Sequence, residues 1–369
     1  MTQDRQADFS RRLTDILNHG ALNLGLALGY QLKIFDVMAE LDRPVTGREL
    51  ARAAKLHRRY VEEWLGIMCT GQIIEIHPPD PSVSENRSAE PRFYLPTAHA
   101  ALLTRNAGSG NMGVYAQEIP LLTQIAMARV VEDFSTGAGI EFSAYPRFQA
   151  FMSQLSHAKH RQVLIQHFLP QVDDGQLVTR LNKGIRVCDL GCGQGIALHL
   201  MARHYPASSF VGIDNDAAAI DQARQITADL GLDNLTFEKK DAAAIEKDPW
   251  ISKKFDYITA FDAIHDQSHP LAALRGVRHM LAPGGLFSMI DIDAASHIEG
   301  NMDHPMGPFL YTVSLMHCMP VGLSDQGRGL GMMWGRDRAV SLLEQAGFSH
   351  IQVLEMAHDP FNVHYLSWK

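Results

Sequence analysis

The stretch Val187–Gly195, "VCDLGCGQG", decides the fold of this 369-residue chain. An apolar run ends in the carboxylate of Asp189, and three glycines follow at positions 191, 193 and 195. Glycine weakens regular structure and is used where the backbone must turn sharply or come close to another group. The stretch therefore predicts a strand and a tight loop whose backbone approaches a phosphate, a nucleoside or a neighbouring helix.

Short β-rich runs separated by helical stretches follow from about residue 185. They read "IRVCDL", "SSFVGID", "LTFEKKD", "FDYITAFD" and "GGLFSMIDI". Alternation of strands and helices predicts a parallel, doubly wound sheet. The last two runs, "FSHIQVLEM" and "FNVHYLSW", have only "AHDP" between them, which permits a hairpin. The fold class is therefore α/β, with a seven-stranded Rossmann-like sheet whose last strand is antiparallel.

The N-terminal part has a different, mainly helical pattern. Thr46 and Glu49 have capping-box spacing, so a helix begins at Gly47. A second helix follows, and the runs "IIEI" and "RFYLP" predict two strands joined by the Pro/Ser-rich segment 78–91. This order of elements is that of a winged helix.

The expected organisation has three parts. Residues 1–110 are the winged-helix and dimerisation domain, residues 111–180 are a helical linker that covers a pocket, and residues 181–369 are the sheet domain. About 40 residues separate the strand ending near Asp293 from the next helix, whereas such connections usually take about 2–6. Residues 294–334 are therefore predicted to form a lid or pocket wall over the carboxyl ends of the strands.

The composition excludes several classes of protein. A net charge of -8 argues against binding nucleic acid through the overall field. Four scattered cysteines are too few for a disulfide framework or a zinc site. No apolar run approaches the roughly 18 residues of a membrane span, and the N-terminal stretch lacks the features of a signal peptide. We expect a reduced, cytoplasmic protein with no membrane contact.

The pattern of carboxylates narrows the ligand of the glycine loop. The spacing G-x-G-x-G differs from the dinucleotide fingerprint, and no Walker lysine follows. Asp189, Asp214 and Asp241 end three successive strands. They suit a ligand with an amine, a ribose and an adenine but no phosphate, a description that S-adenosylmethionine fits. The structural alternative is that these residues cap helices, which favour Asp at that position.

Residues 185–295 resemble a class I S-adenosylmethionine-dependent methyltransferase. The resemblance lies in "VCDLGCGQG", "VGIDND", "KKDAAA", "FDYITAFDAIHD" and "LAPGGLF", in that order and spacing. The whole chain is further similar to a bacterial group that joins a winged helix to this domain and is often labelled methyltransferase or transcriptional regulator. That closer likeness lies in "AFDAIHDQ", "DHPMGPFLYTVSLMHCM", "GLGMMWG" and "HDPFN". The resemblance implies these cofactor-binding residues: Asp189, Gly191, Gly193, Gly195, Asp214, Asn215, Asp241, Ala242 and Phe261.

The chain also resembles the small-molecule O-methyltransferases of plants and bacteria, which share this architecture. In them the winged helix forms a homodimer, and a His-Asp pair after the fourth strand supplies the catalytic base. His265 and Asp266 match that pair, while Gln267 stands where those enzymes favour Trp. His269 is the nearest competitor for the role of base. A histidine that titrates near neutrality can take a proton from a hydroxyl or thiol acceptor.

The acceptor pocket is expected to be apolar with several histidines. Its predicted lining is Tyr145, Phe148, His269, Phe309, Tyr311, Met316, His317 and Trp334. Such a pocket suits a small, partly apolar acceptor bearing a hydroxyl, thiol or thioether, and oxygen, sulfur and nitrogen acceptors all stay open. The run "MHCM" at 316–319 is interpreted as pocket lining, and no metal is predicted.

The winged helix leaves a second hypothesis, a transcriptional regulator that senses a ligand through a methyltransferase fold. Arg48, Arg52, Lys55, Arg58 and Arg59 cluster around its second helix. However, residues 1–110 hold 13 basic and 13 acidic side chains, and Glu62 and Glu63 interrupt the would-be recognition helix. A DNA reader carries a basic excess, so dimerisation is the favoured role.

Overall fold

The computed structural model describes residues 2–77 and 90–369. The chain forms two compact units, Met1–Leu121 and Leu122–Lys369. Most of the predicted Pro/Ser-rich connection of the wing, at 78–89, lies outside the described residues. Within the described residues, no helix combines the length and apolar character that crossing a membrane requires.

The first unit contains the predicted winged helix. Its helices are α1 (Thr2–Gln31), α2 (Ile34–Leu41), α3 (Gly47–Ala54), α4 (Arg58–Thr70) and α5 (Thr97–Leu103). Its strands are β1 (Val45–Thr46), β2 (Glu75–His77) and β3 (Arg92–Tyr94), in the order β1-β3-β2. The capping box forms as predicted: the Thr46 side chain accepts from the Glu49 amide at 3.2 Å, and the Glu49 carboxylate accepts from the Thr46 amide at 2.7 Å.

The second unit is built on a seven-stranded sheet in the order β6-β5-β4-β7-β8-β10-β9. The strands are β4 (Arg186–Leu190), β5 (Ser209–Asp214), β6 (Leu235–Lys239), β7 (Phe255–Phe261), β8 (Leu281–Ile292), β9 (His350–Glu355) and β10 (Asn362–Trp368). Strands β4 to β8 pair in parallel, and β10 runs antiparallel to both β8 and β9. The predicted fold class and the reversed last strand are confirmed.

Nine further helices lie along the chain from residue 118. They are α6 (Glu118–Thr136), α7 (Pro146–Val163), α8 (Gln176–Lys183), α9 (Ile196–His204), α10 (Ala217–Leu230), α11 (Pro270–Met280), α12 (Gly307–Val313), α13 (Met319–Leu323) and α14 (Arg336–Gln345). Apolar clusters form the core of the unit. One contains Ile258, Leu274 and Phe287, and another contains Val187 and Phe210. Burial of each large apolar side chain of this kind stabilises the folded state by about 1.5–3 kcal/mol.

The parallel strands deliver their loops to one edge of the sheet. Strand β4 ends at Leu190, β5 at Asp214 and β7 at Phe261, so the segments that follow them leave the sheet at the same edge. In open α/β sheets, ligands bind outside the carboxyl ends of the strands. This edge is therefore where the functional site is sought.

Candidate functional site

The three glycines of the first loop have different reasons to be glycine. All have positive φ: +72° at Gly191, +52° at Gly193 and +74° at Gly195. A Cβ at Gly195 would lie 2.3 Å from the Phe237 ring, and one at Gly191 would lie 2.5 Å from the Cβ of Ala263. A Cβ at Gly193 would meet nothing within 4 Å. Packing thus requires Gly191 and Gly195, while Gly193 presents its backbone to open space that a ligand can enter.

Asp214 holds this loop in place from the end of β5. Its Oδ2 accepts a hydrogen bond from the Gly193 amide at 2.8 Å, and its Oδ1 accepts one from the Asp216 amide at 2.9 Å. Burial raises the pKa of Asp214, and the backbone hydrogen bonds offset only part of that rise. A carboxylate oriented in this way has lone pairs left for the hydroxyls of a ribose.

Asp189 is more deeply enclosed than the sequence indicates. It is 3% exposed, and the Thr259 hydroxyl donates to its Oδ1 at 2.7 Å. Burial, assisted by the nearby charge of Asp214, raises its pKa to about 7. The charge on Asp189 is therefore costly in the free protein, and a cation near it would favour the ionised form.

The other predicted cofactor residues are more exposed than Asp189 and Asp214 or lie in more apolar surroundings. Asp241 is exposed and accepts a hydrogen bond from the Ala243 amide at 2.9 Å. It therefore caps the short helix Ala242–Lys247, which is the structural role that the sequence analysis gives as the alternative to ligand binding. Ala242 is buried at the start of that helix, and Asn215 is exposed beside Asp214. The Phe261 ring packs 5.6 Å from that of Phe168, measured between centroids.

His265 lies between two carboxylates in the segment after β7. It is 3% exposed, and its Nδ1 lies 2.7 Å from Oδ1 of Asp291, a fully buried residue of β8. Its Nε2 lies 3.3 Å from Oδ1 of Asp266. Burial lowers the pKa of His265, but the charges of Asp291 and Asp266 raise it more, so its pKa is well above the ordinary value. The sequence analysis expects a histidine that titrates near neutrality, whereas these two carboxylates favour the protonated ring of His265.

An aromatic cluster lies beside His265 and consists of Tyr145, Phe148 and His317. The His317 ring lies 4.7 Å from that of Tyr145 and 4.6 Å from that of Phe148. The Tyr145 hydroxyl donates to the backbone carbonyl of Met316 at 2.9 Å, which ties the region before α7 to the insertion. Burial lowers the pKa of His317, so this imidazole is neutral and suits an apolar pocket.

The structure places the other predicted pocket residues elsewhere. Phe309 and Tyr311 pack on a separate cluster with Ile292 and Leu310. Trp334 is 1% exposed in the core cluster of the sheet, and His269 is exposed at the start of α11. The predicted lining is thus divided among different clusters; Tyr145, Phe148 and His317 form the aromatic cluster, and Met316 joins it through its backbone carbonyl.

Sequence reasoning missed Asp291, and it considered Cys318 only as part of the pocket-lining run at 316–319. Asp291 is an acidic residue within the apolar run "LFSMIDI", a signal that could have marked it as a buried partner. Cys318 is buried, and its Sγ lies within 4.8 Å of donor atoms of both His265 and Asp266. Burial raises the pKa of this thiol to about 12, so it is protonated beside the histidine.

Comparison with known proteins finds a family match for each of two parts of the chain. Residues 181–325 match the family described as "Methyltransferase domain", and residues 20–105 match the family described as "Rv2258c-like winged HTH domain". A ubiquinone biosynthesis O-methyltransferase of Dinoroseobacter shibae is 25% identical over 180 residues, which cover 49% of this chain and 66% of that protein.

Two solved structures share the fold over nearly the full length. Human N-acetylserotonin methyltransferase in complex with S-adenosylmethionine has a TM-score of 0.64 at 16% identity, with 98% of this chain and 97% of that chain covered. The mitomycin 7-O-methyltransferase MmcR has a TM-score of 0.69 at 16% identity, with both chains fully covered. Likeness at this identity shows the fold; the family matches add a methyltransferase domain and a winged helix.

Proposed function

Because residues 181–325 match a methyltransferase domain, we propose that the protein uses S-adenosylmethionine to methylate a hydroxyl or thiol of a small, partly apolar molecule. The observation that carries the proposal is His265, held by Asp291 at 2.7 Å next to an aromatic cluster at the carboxyl edge of the sheet. The cofactor supplies a methyl group that its sulfonium already activates. The protein has to align the acceptor, exclude water and take the acceptor's proton.

The cofactor fits the residues at the glycine loop. Asp214 has unused lone pairs for ribose hydroxyls, and the Gly193 backbone borders open space. Asp189 is a buried carboxylate that a cationic ligand would stabilise in its ionised form. We propose that these residues hold the nucleoside and amine, and that Asp241, Asn215, Ala242 and Phe261 surround the adenine.

His265 accepts the proton through Nε2 in this scheme. Its Nδ1–H stays on Asp291, which fixes the orientation of the ring and stabilises the imidazolium that forms. Because two carboxylates favour the charged ring, only the neutral fraction of His265 can act as base, and this fraction grows with pH. The donor atoms of His265, Asp266 and Cys318 lie close together, and we assign them to proton transfer and positioning, without a metal.

The acceptor class follows from the surroundings of His265. Tyr145, Phe148 and the neutral His317 provide an apolar surface that suits a planar or aliphatic molecule. The matched proteins from Dinoroseobacter and the mitomycin pathway are named O-methyltransferases, which favours a hydroxyl acceptor. A thiol or thioether stays in the proposal because Met316 and Cys318 offer soft contacts to sulfur.

We also propose that the protein is a cytoplasmic homodimer. The four cysteines are free, as expected in a reducing compartment. Helix α1 is exposed on all sides over residues 4–21, and it exposes Phe9, Leu13, Ile16 and Leu17. A helix with an unburied apolar stripe needs a partner, and a second copy of the winged-helix domain supplies a matching one.

The regulator hypothesis has less support. Arg58 pairs with Glu62 and Glu90, Arg59 pairs with Glu63, and Arg48 pairs with Glu90. These arginines are therefore neutralised within the winged helix, whereas phosphate binding needs available cations.

The test is a screen of hydroxyl, thiol, thioether and amine metabolites with the purified protein and S-adenosylmethionine. Release of S-adenosylhomocysteine is measured, and Asp214→Asn is the control for cofactor-dependent turnover. We expect release with a hydroxyl or thiol compound and little with Asp214→Asn. Salt-sensitive, sequence-specific DNA binding without release for any class would overturn the proposal in favour of the regulator.

A further inference from the structure

A surface cavity lined by basic side chains lies away from the glycine loop. Its volume is about 320 Å³. This cavity, here called the basic cavity, is lined by Glu246, Ser252, Lys253, Arg275, Arg278, His279, Ala346 and Lys369. Four lysines and arginines and one histidine thus line the cavity together with a single side-chain carboxylate, Glu246, which is exposed.

The basic cavity lies at the opposite edge of the sheet from the methyl-transfer site. Lys253 precedes β7, whose first residue is Phe255, and Arg278 and His279 end α11 just before β8 begins at Leu281. These are the amino ends of the parallel strands, whereas the glycine loop and His265 follow carboxyl ends. A ligand here would therefore not touch the residues assigned to methyl transfer.

Backbone contacts hold the cations in place. The Arg278 Nε donates to the Gly347 carbonyl at 2.8 Å, and the His279 Nε2 lies 2.9 Å from the Asp248 carbonyl. The Lys369 ammonium donates to the Leu281 carbonyl. Lys253 has a φ of +52°, and its amide donates to the His279 carbonyl at 2.9 Å.

None of these four lysine and arginine charges is neutralised by a carboxylate in the described part of the chain. Throughout residues 2–77 and 90–369, no carboxylate forms an ion pair with Lys253, Arg275, Arg278 or Lys369. Burial lowers the pKa of Lys369, and the positive charges of Arg278 and Lys253 lower it further. Basic residues in the last turn of a helix complement its dipole, which accounts for Arg278 and His279. It does not account for Lys253, Arg275 and Lys369.

We propose that the basic cavity binds a small anion through a phosphate group. Guanidinium groups match the geometry of phosphate oxygens, and the ammonium groups add charge. A cavity of about 320 Å³ has room for the phosphate and a small organic part. A duplex would instead need an extended basic surface, which a chain of net charge -8 does not favour. The phosphate is either inorganic or part of a phosphorylated metabolite.

Calorimetric titration of the full chain tests the proposal, with inorganic phosphate, pyrophosphate and ribose 5-phosphate as probes. S-adenosylhomocysteine is present at saturation so that the cofactor site is filled. The variant is the pair Lys253→Glu and Arg275→Glu. The matched control is the pair Lys183→Glu and Arg203→Glu, which changes the charge equally at exposed positions elsewhere.

We expect the cavity variant to lose at least about tenfold in affinity for pyrophosphate, as loss of charge-assisted hydrogen bonds implies, while the control keeps it. Equal affinity for phosphate and the sugar phosphate would identify inorganic phosphate, and tighter binding of the ester would identify a metabolite. No binding to the wild type at millimolar concentration, or an equal loss in both variants, would overturn the proposal. This readout is independent of methyl transfer.

The variant Lys253→Gly distinguishes a loss of anion binding from a loss of folding. Glycine accepts the positive φ without strain, so this variant should be as stable as the wild type or more stable. It should nevertheless bind pyrophosphate more weakly. Undiminished binding would exclude Lys253 from the site.

Discussion

Nδ1 of His265 lies 2.7 Å from Oδ1 of Asp291. This contact joins the loop after β7 to the neighbouring buried strand β8. Asp291 also accepts from the Ile292 amide at 2.8 Å through the same oxygen, so its carboxylate is fixed. The imidazole is thereby fixed as well, and Nε2 is the nitrogen left for chemistry. Asp266 stands 3.3 Å from that nitrogen and competes with an acceptor for it.

This competition predicts the effect of Asp266→Asn on the pH profile. The negative charge of Asp266 helps to raise the pKa of His265, so its removal should lower that pKa and move the acidic limb of kcat/KM to lower pH. Turnover near pH 6 should rise relative to the value at high pH. The control is Asp325→Asn at an exposed position of the insertion. An acidic limb that does not move in Asp266→Asn would show that His265 is not the group that titrates.

Asp214→Asn should weaken cofactor binding by about tenfold or more, because charge-assisted hydrogen bonds to hydroxyls contribute about 1.5–3 kcal/mol each. Calorimetric titration with S-adenosylmethionine measures the change. The matched control is Asp216→Asn, since the Asp216 side chain accepts from the Ala218 amide and caps the start of α10. Equal affinities in Asp214→Asn and the wild type would remove Asp214 from the cofactor site.

Asp189→Asn should stabilise the cofactor-free protein above pH 7. The folded pKa of Asp189 is raised to about 7, so its contribution to stability is complete below the unfolded pKa and is lost as pH rises through 7. The gain is at most about 4 kcal/mol, since each pKa unit corresponds to about 1.36 kcal/mol. Urea unfolding at pH 5 and pH 8 measures it. A gain of equal size at both values would assign the effect to packing instead.

The double change Ile16→Asp and Leu17→Asp should convert the proposed homodimer to a monomer. Both side chains are exposed on α1, at 51% and 67%, and charges there would oppose burial against a second copy. Light scattering at micromolar concentration measures the mass. Asn18→Asp adds charge to the opposite face of the same helix and should leave the dimer intact. A monomeric wild type would contradict the proposal directly.

The fold could be predicted from the sequence because its signals are local. The glycine loop, the alternating strands and the capping box at Thr46 each depend on residues close together in the chain. His265 and Asp214 could be chosen for the same reason, since each follows or ends a recognisable strand. The seven-stranded sheet with its antiparallel last strand and the winged helix are confirmed.

The surroundings of His265 could not be predicted in full, because they depend on contacts between distant parts of the chain. Asp291 is 26 residues from His265 and reaches it only because β7 and β8 are neighbours. Against the effect of burial, the charge of Asp291, followed by that of Asp266, raises the pKa of His265, and this pairing of distant residues leaves no local signal in the sequence. Trp334 resembles pocket lining in composition, yet it fills the core because the insertion folds back onto the sheet.

The most direct test of the account is the turnover of His265→Ala with the acceptor found in the screen. His269→Ala is the matched control, because His269 is exposed and four residues away. Single-turnover rates are measured from pH 6 to pH 10, together with calorimetric affinity for S-adenosylhomocysteine. The account predicts unchanged affinity, a rate about 10²–10⁴-fold below the wild type at pH 7, and a smaller defect at high pH where the acceptor ionises by itself. Near-wild-type turnover of His265→Ala at pH 7 would contradict it.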